Sequence, residues 1–240
     1  MDAPLFRPLY QQIRDAILDA LDRGEWRPGE LMPSEFELAA KYRVSQGTVR
    51  KALDSLAAEH LVSRRQGKGT FVATHGSPGV RFRFLRLAPD AGQGTPPARE
   101  LLDFRRVRAP ADVAKALELR AGDQAVLLKR LLVFGADPVI VEETWLPGSL
   151  FKGLTAAAIR QHRGALYNLF ETRFGTRMVR AAEKLKSVAA DPAVAALLKV
   201  PAGHPLLQVQ RLSYTYGDRP VEWRRSFYNT DRHYYRSELG

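Results

Sequence analysis

The stretch from Ser34 to Val72, SEFELAAKYRVSQGTVRKALDSLAAEHLVSRRQGKGTFV, decides the fold of the first part of the chain. Ser34 followed by Glu37 is a capping box, in which each side chain satisfies an orphan amide at a helix start. Leu38, Ala39 and Tyr42 then fall at helical spacing, and Arg43-Val44 breaks the pattern. Ser45 offers a second N-cap. Behind it Val49, Ala52, Leu53 and Leu56 recur at i, i+3, i+4 and i+7, an apolar stripe, while Gln46, Thr48, Arg50 and Lys51 occupy the opposite face. Two helices joined by so short a turn predict a helix-turn-helix, whose second helix enters the major groove of DNA N-terminus first. Downstream, Leu61-Val62-Ser63 and Thr70-Phe71-Val72 are short β-prone runs around Arg64-Arg65-Gln66-Gly67-Lys68-Gly69. Glycines let that tip turn with positive φ, and its cations suit phosphate or minor-groove contact. The whole predicts a winged helix-turn-helix.

Working outward, residues 8–23 read as a first helix, with Pro8 in the first turn, Leu9, Ile13, Ile17 and Leu21 repeating every four residues, and Gly24 as C-cap. Charge follows the same layout. Residues 1–42 hold five Lys+Arg against eight Asp+Glu, whereas residues 43–72 hold six against two. Positive charge thus begins with the proposed recognition helix, as phosphate neutralisation requires.

Leu9-Tyr10, Pro28-Gly29, Leu31-Met32-Pro33-Ser34-Glu35, Leu38-Ala39, Val44-Ser45, Thr48-Val49-Arg50, Ala52-Leu53, Leu56 and Arg65 to Val72 together resemble the N-terminal domain of GntR-family bacterial transcription regulators. The resemblance implies DNA contact by Ser45, Gln46, Thr48 and Arg50 on the recognition helix. It implies the same for Arg65, Gln66, Gly67, Lys68 and Gly69 on the wing. Phe36 and Gln46 stand where many members carry arginine, so an operator sequence does not carry over from relatives.

The chain has 240 residues, a formal net charge of +11, 45% hydrophobic and 26% charged residues, which fits globular domains with polyanionic partners. Cysteine is absent, which excludes disulfides, thiolate metal sites and cysteine nucleophiles. No apolar run approaches the roughly 20 residues of a membrane span, and the N-terminus lacks an apolar signal segment. A cytoplasmic protein without membrane association is expected.

After a linker expected over 74–80 and an alternating strand over 80–87, the second part contains an internal repeat. Ala111 to Gly122 resembles Pro192 to Gly203, 81 residues further on, and the likeness persists to Arg130-Leu131 and Arg211-Leu212. Each copy reads as a short helix, a strand, a turn and a second strand; the turns are Gly135-Ala136-Asp137-Pro138 and Gly217-Asp218-Arg219-Pro220. Two copies are too few for a solenoid and predict one pseudo-symmetric α+β domain with a mostly antiparallel sheet. Between them Leu154 to Phe174 has helical character and reads as packing, with Gly175 as its stop.

The Gly-Asp-Arg-Pro turn, Arg211, Glu222, Ser226, Tyr228, Asp231-Arg232 and Tyr234, with Arg130-Leu131, Pro138-Val139, Glu142 and Leu146-Pro147, resemble the UTRA effector-binding domain of the HutC branch of that family. The expected domains are 1–73, winged helix-turn-helix; 74–80, linker; and 81–240, UTRA, for effector binding and dimerisation. The resemblance places the effector against Arg130, Glu142, Glu222 and Tyr228. Arg130 would fork onto an anionic group, the carboxylates would accept from hydroxyl or amino groups, and Tyr228 would give a wall with one donor. An Arg–Glu network joining the repeats is the alternative for these residues. Members that take sugar phosphates carry a second arginine at the position of Leu132 and a small hydroxyl residue near Ala165, so a carboxylate-bearing metabolite is an equal candidate. The five histidines show no metal-ligand spacing, and no nucleophile elbow or phosphate-cradling loop is present. No cofactor or metal is expected. The reading is a non-enzymatic, metabolite-responsive repressor, a homodimer on an inverted-repeat operator. An enzyme of the chorismate lyase-like fold and an effector-independent DNA-binding protein are the alternatives.

Overall fold

The computed structural model describes residues 7–76, 85–92, 96–162 and 164–237; the linker and the strand expected over 80–87 lie in part outside them. The chain forms two compact units, one built on residues up to Pro78 and one on residues from Gly79 onward.

In the first unit α1 (Leu9–Asp22), α2 (Glu35–Tyr42) and α3 (Gln46–Ala58) precede a hairpin of β1 (Val62–Arg65) and β2 (Gly69–Val72). The capping box forms: the Ser34 hydroxyl accepts from the Glu37 amide at 3.2 Å, and the Glu37 carboxylate accepts from the Ser34 amide at 2.8 Å. Arg43 ends α2 in the left-handed region (φ 54°), and Ser45 caps α3 by accepting from the Thr48 amide. Val49, Ala52, Leu53 and Leu56 are fully buried with Ile13, Ile17 and Leu38, which closes the three-helix core. Leu9 departs from the expected stripe and is half exposed. A four-residue repeat advances about 40° past a full turn per step on a helix of 3.6 residues per turn, so Leu9 lies about 120° round from Leu21, at the margin of the buried face. The hairpin gains a third partner that its sequence did not announce. Leu31 bridges to Phe71, with Met32 N donating to Thr70 O at 2.8 Å and Val72 N to Glu30 O at 2.9 Å. Gly69 is required there by its backbone, whose φ of 104° is one that side chains rarely adopt.

The second unit is a six-stranded antiparallel sheet in the order β4-β5-β6-β9-β8-β7, with helices on both faces. Its elements are β3 (Leu87–Pro89), β4 (Ala98–Val107), α4 (Ala111–Ala116), β5 (Ala125–Phe134), β6 (Asp137–Pro147), α5 (Ala156–Gln161), α6 (Leu166–Phe174), β7 (Arg180–Ala189), α7 (Pro192–Leu198), β8 (Pro205–Tyr214), β9 (Pro220–Tyr228) and β10 (His233–Tyr235). The repeat is therefore β-α-β-β, one strand longer at its start than the sequence pattern indicates. The missing strands β4 and β7 are the two sheet edges. β7 has no clean alternation, with Glu183-Lys184-Leu185-Lys186 in its middle and Leu185 exposed. β4 carries a bulge between Leu101 and Asp103 that shifts its period-2 pattern. The pseudo-two-fold axis passes through the sheet at the Glu143↔Arg225 pair of β6 and β9, and it maps Arg130 onto Arg211.

α4 and α7 each cover one half of one sheet face: α4 through Val113 over Leu127, Trp145 and Trp223, and α7 through Val194, Ala195 and Leu198 over Leu131, Val141 and Leu206. On the other face the halves differ. The insertion carrying α5 and α6 packs Ile159, Leu166, Tyr167 and Phe170 against Val126, Leu128 and Leu146. The β3–β10 ribbon packs Leu87 and Tyr235 against Leu132, Ile140, Val209 and Tyr228. The helical stretch expected over 154–174 is thus two helices, and Gly175 (φ 62°) terminates the second.

Candidate functional site

In the first unit the start of α3 presents Ser45, Gln46 and Arg50 to solvent, with Thr48 half-buried. The Ser45 and Thr48 hydroxyls lie 2.9 Å apart, so the cap also holds Thr48 in place. Glu35, on the first residue of α2, ties this surface together. Its carboxylate accepts from Arg50 Nε at 2.9 Å, from Arg64 at 3.0 Å and from Gln46 Nε2 at 3.3 Å. The hydrogen bonds from Arg50 and then Arg64 outweigh burial and hold the Glu35 carboxyl below its ordinary range. Arg64 also pairs with Asp54 at 2.8 Å. Arg64 was among the wing cations read from the sequence, but the role of Glu35 was not; an acidic residue inside a cationic surface gives no pattern signal. At the wing, Lys68 N donates to Arg65 O at 2.9 Å to close the turn around Gly67 (φ 69°), and the Arg65 guanidinium stacks 4.4 Å from the Phe71 ring centroid. Gln66 and Lys68 stand exposed at the tip.

In the second unit a line of charges crosses the face that bears α5 and α6. Arg130 of β5 lies opposite Glu142 of β6 and donates to it through Nε at 2.6 Å and also through its terminal nitrogen. The other Glu142 oxygen accepts from Arg224 of β9 at 3.2 Å, and Arg224 forms a 2.8 Å ion pair with Glu222. Glu222 also accepts from Tyr167 of α6 at 3.1 Å, and Tyr167 meets Ser213 at 3.1 Å. All these groups are nearly or fully buried. Burial alone would raise the Glu142 carboxyl, but the charges of Arg130 and Arg224 hold it below the usual carboxylate range. Burial disfavours the Arg224 charge, yet Glu142 and Glu222 raise its pKa above the ordinary arginine value.

The pseudo-symmetric position differs. Arg211 faces Arg224 rather than a carboxylate, so it turns to the edge strand and donates to Glu183 at 2.6 Å. Glu183 in turn accepts from the Tyr235 hydroxyl of the ribbon. Tyr228 sits beside Tyr235, ring centroids 6.3 Å apart at 89°, and burial pushes its hydroxyl up.

A cavity of 370 Å³ opens beside Arg130, under the α5–α6 insertion. Arg99, Glu100, Arg130, Arg160 and His162 are its polar lining residues, so basic residues outnumber acidic ones, and Leu101, Ile159 and Leu166 are its apolar ones. Arg106 braces this roof by donating to Phe151 O at 2.7 Å and Leu154 O at 3.2 Å. Of the four effector candidates Arg130 lines the cavity; Glu142 lies behind it, Glu222 further along the charge line, and Tyr228 in the cluster under the ribbon. Arg99, Arg160 and His162 were not found from sequence, because they belong to an edge strand and to the end of α5 and its C-cap, which meet only in the fold. Leu132 is buried under the ribbon, and Ala165 is the N-cap of α6 without a side-chain cap bond.

A three-helix winged unit followed by a pseudo-symmetric sheet with a basic cavity defines a one-component transcription regulator: a DNA-binding unit with a ligand-binding unit. Residues 9–72 match the family model for bacterial regulatory proteins of the gntR family, and residues 92–234 match the UTRA domain. The chain belongs to this GntR-type, UTRA-bearing family of transcriptional regulators, and it is not an enzyme. It is similar to an Escherichia coli K12 protein described as a probable fructoselysine utilization operon transcriptional repressor, 29% identical over 93% of this chain and 91% of the relative. It is also similar to the mannosyl-D-glycerate transport/metabolism system repressor MngR of the same organism, at 27% identity over 94% and 93%. Its second unit resembles a crystal structure of the ligand-binding domain of a GntR-family regulator from Bordetella bronchiseptica, with 52% identity, a TM-score of 0.66, and coverage of 67% of this chain and 100% of that one. Among the described residues no helix is long and apolar enough to cross a membrane.

Proposed function

We propose that the protein is a homodimeric repressor that binds an inverted-repeat operator and leaves it when an anionic, carboxylate-bearing metabolite occupies the cavity beside Arg130. The cavity carries this reading: three arginines and a histidine line it against a single glutamate, in a space large enough for a small metabolite. The start of α6 borders it, and helix N-termini favour negative charge. Leu132 and Ala165, which lack the arginine and hydroxyl expected of sugar-phosphate binders, favour a carboxylate over a phosphate. The relatives named for fructoselysine and mannosyl-D-glycerate systems fit, since both compounds carry a carboxylate. In this reading Arg130 contacts the effector, Glu142 orients Arg130, and Glu222 and Tyr228 act through the charge line and the ribbon. Ser45, Gln46, Thr48, Arg50 and the Arg65–Gly69 wing contact DNA, at two half-sites related by the two-fold symmetry of the dimer. The protein folds as a DNA-binding domain over 1–73, a linker over 74–80 and an effector domain over 81–240, and it works in the cytoplasm. Effector and operator must weaken each other by the same factor.

The test is operator affinity by fluorescence anisotropy, for wild type and Arg130→Ala, across a panel of glycosylated amino acids, sugar acids and sugar phosphates. The expected result is a carboxylate that lowers wild-type affinity and leaves Arg130→Ala, which still binds DNA, unresponsive. A folded Arg130→Ala protein that responds at the wild-type concentration refutes the role of Arg130; a response to phosphates alone refutes the ligand class.

A further inference from the structure

We infer that the hydrogen bond from Tyr235 to Glu183 is a latch that sets operator affinity, with Tyr235 as a positioning residue for the linker to the DNA-binding unit. Strand β3 of the β3–β10 ribbon is the first described element after that linker. Whatever fixes β3 therefore fixes where the linker leaves the second unit. The ribbon cannot fix itself: its strands pair over Leu87–Pro89 and His233–Tyr235 alone, and a two-stranded ribbon so short is at best marginal in water. The sheet beneath holds it. Leu87 and Tyr235 pack with Leu132, Ile140, Val209 and Tyr228, but apolar packing has no direction of its own. The Tyr235 hydroxyl adds a directional tie by donating to Glu183 of the edge strand β7. Glu183 is itself held: one of its oxygens accepts from Arg211 Nε at 2.6 Å and the other from Tyr235. Burial, and then the bond to Glu183, push the Tyr235 hydroxyl well above its ordinary range, so it stays a donor. Arg211 lies opposite Arg224, and Arg224 bonds the carboxylate that holds Arg130 at the cavity. One row of charged side chains thus crosses from β5 to β7, four strand spacings or about 19 Å, and ends at the ribbon. Arg130 opens on a cavity, whereas its pseudo-symmetric counterpart, through Glu183, is answered by the chain's own Tyr235.

This inference rests on the proposed binding of a dimer to an inverted repeat, and the experiment separates the two. The full-length protein selects duplexes from a random library. The best one is remade with one and with two base pairs inserted between its half-sites, and with one half-site scrambled. Each inserted pair turns one half-site by about 34° against the other. Wild type, with the departure point of its linkers fixed, is expected to lose at least about tenfold in affinity on insertion. Tyr235→Phe removes only the hydroxyl. It is expected to bind the unaltered duplex up to about tenfold more weakly, the scale of one hydrogen bond to a charged group. With its ribbon free to shift, it is expected to tolerate insertion, losing less than about threefold of its own affinity, on the same scale. On the half-scrambled duplex the two proteins are expected to bind alike, because the DNA-reading surface belongs to the first unit. Equal spacing discrimination by wild type and Tyr235→Phe overturns the inference, and so does a variant weakened as much on the half-scrambled duplex as on the intact one, which marks a general loss of folding. A wild type that is indifferent to spacing, or that selects a lone half-site, overturns the two-fold reading of the operator, and the latch with it.

Discussion

Breaking the Arg130–Glu142 pair from its two sides is expected to give unequal results. In Glu142→Gln, Arg130 loses the one carboxylate to which both of its side-chain hydrogen bonds run, while Arg224 keeps Glu222 at 2.8 Å. A guanidinium cannot shed its proton at any accessible pH, so the charge stays buried without a counter-ion. Removing one member of a buried pair costs roughly 3–5 kcal/mol. In a domain of this size each kcal/mol lowers the melting temperature by about 2–4 °C, so the shift is on the order of 6–20 °C. In Arg130→Met the orphan is Glu142, which keeps Arg224 at 3.2 Å and can also take up a proton. Its cost is about 1–3 kcal/mol near neutral pH. The pH dependence carries a sign. In the wild type the Glu142 pKa is lowered, so its stabilisation is present above the ordinary carboxylate range and is lost as pH falls through the depressed value. In Arg130→Met the same carboxyl is expected to rise, so that variant loses stability as pH increases through the raised value. Its deficit against wild type narrows between pH 7 and pH 5, whereas that of Glu142→Gln does not. Urea unfolding followed by tryptophan fluorescence, in a Trp26→Phe background that silences the first unit, reads the right unit, because Trp145 and Trp223 are both buried in this sheet. A Glu142→Gln protein within 1 kcal/mol of wild type, or an Arg130→Met deficit at pH 5 that matches Glu142→Gln, refutes the reasoning.

Two further expectations concern the DNA-binding unit. Arg50→Ala is expected to cost roughly 1–3 kcal/mol of specific operator binding if the guanidinium makes a bidentate base contact; anisotropy on the selected duplex measures it, and unchanged affinity in a folded variant removes Arg50 from the interface. Lys68→Ala is expected to weaken binding to all duplexes alike and to reduce the salt slope by about one; a loss confined to the selected sequence would make Lys68 a base reader.

The winged helix-turn-helix was legible in the amino-acid sequence because its signals are local. The Ser34–Glu37 box, the Ser45 cap, the α3 stripe and the glycines of the wing each act within a few residues, and the structure forms all of them. The pseudo-symmetric repeat was legible too, since a duplicated hairpin leaves matching arginines 81 residues apart and, just after them, matching turns. Tertiary structure decided the rest. Strands β4 and β7 are sheet edges, where one side of the ladder is unpaired and the period-2 pattern is weak, and only pairing with β5 and β8 reveals them. Arg130 and Arg211 are equivalent by sequence and unlike in the fold: register sets Glu142 opposite the first and Arg224 opposite the second. The helical insertion then covers one end of that sheet face, where Arg99, Arg130, Arg160 and His162 line one cavity, while the ribbon covers the other end, toward Tyr228. Local propensity carries no record of such long-range pairing. Which of two equivalent arginines can meet a ligand depends on strand register and on what packs above it.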